Sequence, residues 1–217
     1  MKEKFFSRLK VVDSLFGNEF SCVALLALNW ILIVYVIVSG KLDLHSYITI
    51  SSTGYSNPVW FGCFSVVTAL SSFFGWRNIA KSVEDIKYQK LKTLFLIFNI
   101  IGNCCMIIAG FVYGPKYPVR NIIHWITAQT FGILCTVSFL GLYFLLMDKN
   151  KFYCLQILFV SLIAIIAVIL MVVFNSVAAK FTLIILITVQ ISILCSIVVN
   201  SRMWVCRKKN VVCNEKK

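Results

Sequence analysis

The sequence predicts an all-α membrane protein, a polytopic bundle of six transmembrane helices, on three observations. Hydrophobic residues make up 60% of the chain and charged residues only 13%, whereas soluble domains carry roughly 25% charged residues. The hydrophobic residues form blocks of about twenty, the length that crosses a hydrocarbon layer about 30 Å thick. The basic residues collect between and beyond these blocks. A chain of 217 residues has room for six such blocks and little else.

Each block is expected to be helical, because an open strand would leave backbone amides unpaired in lipid and the alternation of a barrel strand is absent. The first block is longer than the 7–15 apolar residues typical of a signal peptide and lacks a good cleavage site, so it is predicted to stay in the chain. We predict a cytoplasmic N-terminal segment at 1–18, a membrane domain at 19–200 with helices at about 20–38, 59–76, 93–113, 122–147, 152–174 and 181–199, and a basic cytoplasmic tail at 201–217.

The loops between the blocks have distinct compositions. A polar loop at 40–58 follows the first block, and a charged loop from Arg77 to Lys92 separates the second from the third. Gly-Pro-Lys-Tyr-Pro at 114–118 breaks the chain after the third block, because proline fixes φ and removes a backbone donor. These three segments separate the first four blocks.

The polar residues inside the blocks predict which helices line the interior. Blocks one, three and four carry several amides and a histidine, so they are expected to face the centre of the bundle. The last two blocks are almost purely aliphatic and are expected to face mainly lipid. The polar residues concerned are Asn29, Asn99, Asn103, His124 and Gln129.

The distribution of lysine and arginine predicts the orientation. Summed over alternate segments, 17 of these residues fall on one side of the membrane and 4 on the other. Because basic loops stay in the cytoplasm, both termini are predicted to be cytoplasmic. The net charge of +13 then comes from basic residues at the ends of the spans, and those on the cytoplasmic face are suited to anionic lipids. No nucleic-acid partner is expected.

Acidic residues lie only in loops or at the ends of blocks. Ion-coupled transporters usually need a carboxylate within the membrane, so the sequence argues against that class. The nine cysteines fall mostly in blocks, where cysteine packs as a small hydrophobe, and none has the spacing of a metal site. No catalytic centre, metal or cofactor is predicted.

Two polar positions are candidates for more than packing. Asn99 and Asn103 lie four residues apart on one face of the third helix, near Gly102 and Gly110. Interhelical hydrogen bonds beside small residues that allow close approach would explain them, at about 0.6 kcal/mol per bond. The alternative is a polar cavity that holds a lipid headgroup or a small ligand.

His124 opens the fourth predicted helix and could face His45 in the first loop. Two histidines could bind a metal or act as acid and base, although two ligands are too few for a zinc site. A hydrogen bond from His124 that ties the first loop to the bundle is the other interpretation. In the tail, Cys206 lies close to the last predicted helix and is a candidate for palmitoylation. The alternative is that the basic residues around it only fix the topology of the last helix through their charge.

Several of these residues form a pattern along the chain that resembles that of a known family. The first loop contains Ile-Ser-Ser-Thr-Gly at 50–54, the second helix opens with a proline and a glycine, and the third and fourth carry the glycines and the histidine. This order and spacing resembles the damage-regulated autophagy modulator family, which belongs with the Frag and Sfk proteins. The residues that carry the resemblance are Ser51, Thr53, Gly54, Pro58, Gly62, Asn99, Gly102, Gly110 and His124.

The resemblance implies a six-helix, non-enzymatic protein of a lysosomal, endomembrane or plasma membrane. Such a protein would modulate autophagy or lysosomal function through membrane lipids or a protein partner. One alternative implied by the wider superfamily is a factor in membrane-lipid or GPI-anchor remodelling, which would require His124 to be chemically active. A further alternative is a small transporter or channel.

Overall fold

A computed structural model describes residues 19–39, 57–112, 117–173 and 187–200, excepting the side chains of 167, 168 and 170–173, and these ranges contain no β-strand. A 3₁₀ turn at Ile86–Tyr88 precedes the third α-helix. The all-α prediction is confirmed. The α-helices of the described ranges are α1 (Glu19–Val38), α2 (Pro58–Ala80), α3 (Gln89–Val112), α4 (Pro118–Leu146), α5 (Lys151–Val173) and α6 (Ile187–Asn200).

Four of these helices are long and apolar enough to cross a membrane: α1, α2, α3 together with the turn before it, and α4. The chain is therefore a helical integral membrane protein. The described apolar stretches of α5 and α6 are shorter, Lys151–Ile166 and Ile187–Asn200. In the described ranges, length and composition therefore support four of the six predicted spans.

Prolines mark the starts of α2 and α4. Pro58 and Pro118 occupy the first helical positions, where the missing N–H is not needed and the fixed φ already suits a helix. Asn57 caps α2, because its side-chain oxygen accepts a hydrogen bond from the Trp60 amide at 3.3 Å. Because α4 starts at Pro118, it begins four residues before the predicted position 122. His124 consequently lies in the second turn of α4 rather than at its head.

The charged loop predicted at Arg77–Lys92 is mostly helical. α2 continues to Ala80 and α3 begins at Gln89, which leaves 81–88 as the connection. Charged side chains near helix ends can reach the interface while the backbone stays helical. Charge alone therefore ended the second helix too early and started the third too late.

α2 is the central helix of the described bundle. Of its most apolar stretch 67% is buried, compared with 28% for α1 and for α3 and 39% for α4. The prediction that α1, α3 and α4 line the interior therefore missed the helix at the centre. α2 has no amide in its middle, but its small and hydroxylated residues let neighbours approach on several sides.

α6 also contributes to the interior, contrary to the prediction that the last two helices face mainly lipid. Its Ile193 and Ile197 are buried with Trp76 of α2 and Leu142 of α4. A Cβ atom on Gly75 would lie 2.6 Å from Cγ2 of Ile193, so these helices touch closely. α5 fits the prediction better, because Leu155, Leu158, Leu162 and Ile165 are exposed.

Candidate functional site

Two glycines of α3 set its distance from its neighbours. A Cβ atom on Gly102 would lie 2.8 Å from Sγ of Cys135 in α4, and one on Gly110 would overlap Ser65 of α2. On α2, Gly62 faces the ring of Phe111 with a corresponding distance of 3.2 Å. The glycines of the third-helix motif therefore permit two close helix contacts, as small residues do in membrane bundles.

Polar side chains line the contacts of α3 with α2 and α4. We call them the polar seam and define it as Asn99 and Asn103 of α3, Ser72 of α2 and Cys135 of α4. The Asn103 Nδ2 donates to the backbone oxygen of Asn99 at 2.8 Å and to its Oδ1 at 2.9 Å. The Cys135 thiol is 3.9 Å from Oδ1 of Asn103, and the Ser72 hydroxyl is 3.8 Å from Sγ of Cys135. All four residues are buried, so the seam joins three helices.

A second polar contact ties α1 to α2. The Asn29 Nδ2 donates to the Thr68 hydroxyl at 3.0 Å, and both residues are buried. Within the described part of the chain, three fully buried polar atoms here have no hydrogen-bond partner: Oδ1 of Asn29, Oγ of Ser65 and Nδ2 of Asn99. An unpaired polar atom in an apolar interior costs about 1–3 kcal/mol, so each of them is available to a water molecule or another neutral hydrogen-bonding group.

His124 connects α4 to the two neighbouring helices. Its Nδ1 lies 2.8 Å from the backbone oxygen of Ala109 in α3. Because a carbonyl can only accept, Nδ1 carries the proton of this hydrogen bond. The imidazole also lies 5.9 Å from the ring of Phe61 in α2, centroid to centroid. The imidazole is buried, with 4% of its surface exposed, and it contacts both neighbouring helices.

Part of the predicted site falls outside the described residues. This holds for the first-loop positions Ser51, Thr53 and Gly54, for His45, and for the palmitoylation candidate Cys206. The predicted pairing of His124 with the first loop is therefore a prediction still. Among the motif residues that are described, Gly110 lies near the C-terminal end of α3, where His124 of α4 contacts the adjacent Ala109. Asn99 and Gly102 lie nearer the middle of α3.

A further buried network was not anticipated from the sequence. The Tyr143 hydroxyl of α4 lies 3.0 Å from Oγ of Ser192 in α6, which donates to Oε1 of Gln156 in α5 at 2.5 Å. Tyr153 of α5 donates to Asn200 of α6. These contacts join the last three helices at one end of the bundle. Ser192 and Ser196 lie four residues apart within the final block, and this spacing was the available signal.

Two lysines form hydrogen bonds to the α2–α3 connection at that end of the bundle. Lys149 donates to the backbone oxygen of Ser82 at 2.8 Å and lies 4.0 Å from Glu84. Lys92 donates to the backbone oxygen of Val83 at 3.1 Å. The α2–α3 and α4–α5 connections therefore meet at one end of the bundle, which we call the basic end.

The metal-ligating side chains are scattered. Within the residues described, no group of three or more His, Cys, Asp or Glu is placed to hold a metal ion, and the described cysteines are free thiols. Cys22 and Cys135 are buried, whereas Cys63, Cys104 and Cys154 are exposed on the outer faces of their helices. The general prediction that cysteines pack inside the bundle is therefore only partly right.

Comparison of the chain with protein-family models, with curated proteins and with solved structures finds no match. The resemblance to autophagy modulators thus depends on the motif residues alone. It stays a prediction.

Proposed function

We propose that this chain is a non-enzymatic membrane protein of the autophagy-modulator type, with six spans and cytoplasmic termini, that acts through lipid or protein partners. The observation that supports this most is the chemistry of the buried polar residues. In the described helices they are amides, hydroxyls, thiols and one imidazole, and the contacts seen for them mostly join one helix to another. Contacts of this kind stabilise a helical bundle, and that role does not require a chemically reactive side chain.

The acidic residues support the same proposal. In the described ranges they lie at helix ends or in connections, at Glu19, Glu84, Asp85 and Asp148. A coupling carboxylate inside the membrane, which a proton- or sodium-driven transporter uses, would have to come from elsewhere in the chain, and the remaining sequence has none in the middle of a block. Transport coupled to ions is therefore disfavoured.

The basic end supports the proposed orientation. The α2–α3 and α4–α5 connections belong to the lysine-rich set of segments, and they meet through Lys149 and Ser82. Basic connections at one end of a bundle are retained in the cytoplasm. Two lysines at this end are held by backbone carbonyls, and Lys87 lies 3.5 Å from Asp85. Exposed Lys90 is suited to anionic lipid headgroups.

The alternative function in lipid or GPI-anchor remodelling would need His124 as a reactive group. Its Nδ1 is committed to the Ala109 carbonyl and its ring is packed on Phe61. This arrangement favours a role in holding α4 against α2 and α3.

The proposal is tested in cells that lack the protein. We expect the tagged wild-type chain to reach a lysosomal or other endomembrane compartment and to restore autophagic flux, measured as the turnover of a lipidated autophagosome marker with and without lysosomal inhibition. Thr53→Ala in the first-loop motif is expected to reduce this rescue at equal protein levels, and Leu158→Ala, on an exposed part of α5, is the control. If the absence of the protein left autophagic flux unchanged and instead altered the cellular pools of GPI lipids, the remodelling alternative would be favoured.

A further inference from the structure

The outward face of α4 carries an amide side chain in an unusual place. Gln129 is the twelfth of 29 residues in this helix and is exposed. At 1.5 Å per residue it lies about 17 Å from one end and 26 Å from the other, so it falls inside a hydrocarbon layer of about 30 Å in any reasonable placement. The other amides in the middle of the described helices are buried, including Asn29, Asn99 and Asn103.

Gln129 differs from the threonines beside it. Thr127 and Thr130 satisfy their hydroxyls within α4, by donating to the backbone oxygens of Ile123 at 2.8 Å and of Ile126 at 2.7 Å. The side chain of Gln129 makes no hydrogen bond within the part of the chain that the structure describes. Lipid chains offer no partner to an amide, so this side chain needs one from another molecule.

The surface around Gln129 is suited to close contact with a helix. A Cβ atom on Gly132, one turn further on, would have no heavy atom within 4 Å. Trp125, Ile133 and Val137 are exposed on the same side of α4. A glycine beside a polar residue on such a face lets two backbones approach until side-chain amides can meet.

We propose that this face, defined as Trp125, Gln129, Gly132, Ile133 and Val137, pairs with the same face of a second copy of this chain. Copies inserted in one orientation are related by a two-fold axis along the membrane normal, so their α4 helices run parallel. Each residue near the axis then meets its own counterpart at the same depth. Gln129 meets Gln129, and because an amide both donates and accepts, the pair forms two reciprocal hydrogen bonds.

A second copy fits this face better than an unrelated partner for a chemical reason. The amide is complementary to itself at equal depth, and Gly132 meets Gly132 where the backbones come closest. The pairing needs no charged or shape-specific counterpart, and it leaves the polar seam and His124 undisturbed inside each bundle. The inference depends on α4 spanning the membrane and not on the proposed cellular role.

The test is the oligomeric state of the full-length chain in lipid. Single-molecule photobleaching in liposomes, over a range of protein-to-lipid ratios, is expected to show a dimer fraction that rises with protein density. Gln129→Leu is expected to raise the dissociation constant on the order of tenfold, because both amide hydrogen bonds are lost. Gly132→Leu is expected to do the same by separating the backbones. Cys104→Leu, on the exposed face of α3, is the matched control and should leave the dimer unchanged.

Cross-linking tests the contact itself. Under mild oxidation, Ile133→Cys should give a cross-linked dimer beyond the background of the native cysteines, whereas Ile101→Cys on α3 should not. Both positions are exposed, and circular dichroism with a thermal melt checks that each variant folds. A wild-type chain that stays monomeric at every density, or Gln129→Leu and Gly132→Leu variants that dimerise as the wild type does, would overturn the proposal.

Discussion

His124 shows how much one side chain contributes when several helices converge on it. Its imidazole donates to the Ala109 carbonyl of α3 and packs on Phe61 of α2. Hydrogen bonds inside membrane bundles contribute about 0.6 kcal/mol on average and up to about 1.7 kcal/mol. The histidine therefore stabilises the bundle through both the hydrogen bond and the ring.

Replacing His124 separates these two contributions. We expect His124→Phe, which keeps a ring against Phe61, to lower the free energy of unfolding by about 1 kcal/mol through the lost hydrogen bond. His124→Ala is expected to lower it by a further 1–3 kcal/mol, about the cost of removing a buried side chain. Reversible unfolding in mixed detergent micelles measures both, and Leu158→Ala on α5, which is exposed, is the control. Equal stability of His124→Phe and the wild type would show that the hydrogen bond contributes nothing.

Glycines that look alike in the sequence have different roles at the scale of the helices. Gly110 of α3 faces Ser65 of α2 so closely that a Cβ atom would overlap it, whereas Gly132 of α4 faces open space. The atoms that Gly110 meets include the Cβ of Ser65, which the backbone holds in place, so a larger residue must push the helices apart.

This difference predicts opposite responses to alanine. Gly110→Ala is expected to lower the free energy of unfolding by about 1–3 kcal/mol, as overpacking does in tight interiors. Gly132→Ala should leave it unchanged or raise it by up to about 1 kcal/mol, because alanine is the better helix former. Unfolding measured at high dilution in detergent, where the chain is monomeric, compares the two. A Gly110→Ala variant as stable as the wild type would mean that α2 and α3 are not held this close.

At the scale of the whole molecule the basic end should determine orientation. If the proposed topology is right, a glycosylation acceptor inserted at 81–85, within the 81–88 connection, should remain unmodified. One inserted in the predicted first loop, 40–58, should be modified in a translocation assay. Protease added from the cytoplasmic side should cut at the first of these positions and not at the second. Glycosylation at 81–85 would invalidate both the orientation and the resemblance that agrees with it.

The bounds of the helices followed largely from local sequence, and the interior did not. Asn99 and Asn103 were recognised because they share a helix face, and they form one hydrogen-bonded pair. Ser72 and Cys135 complete the polar seam, but neither stands out in its block, since a serine or cysteine in an apolar helix fits lipid and interior equally well. Gln129 was expected inside with the other amides and is exposed. Its residue type carries no information on which way the helix is turned.

The sequence alone determined that lipid is the solvent, that the backbone is helical and which loops are basic. Those properties depend on the length of apolar runs and on the need of each backbone amide for a partner within its own segment, both of which are local. The packing of the bundle required the three-dimensional arrangement: α2 at its centre, α6 within it and one face of α4 left bare. In a membrane every side of a span is apolar, so hydrophobicity does not mark the buried face, and close approach between particular helices determines it instead.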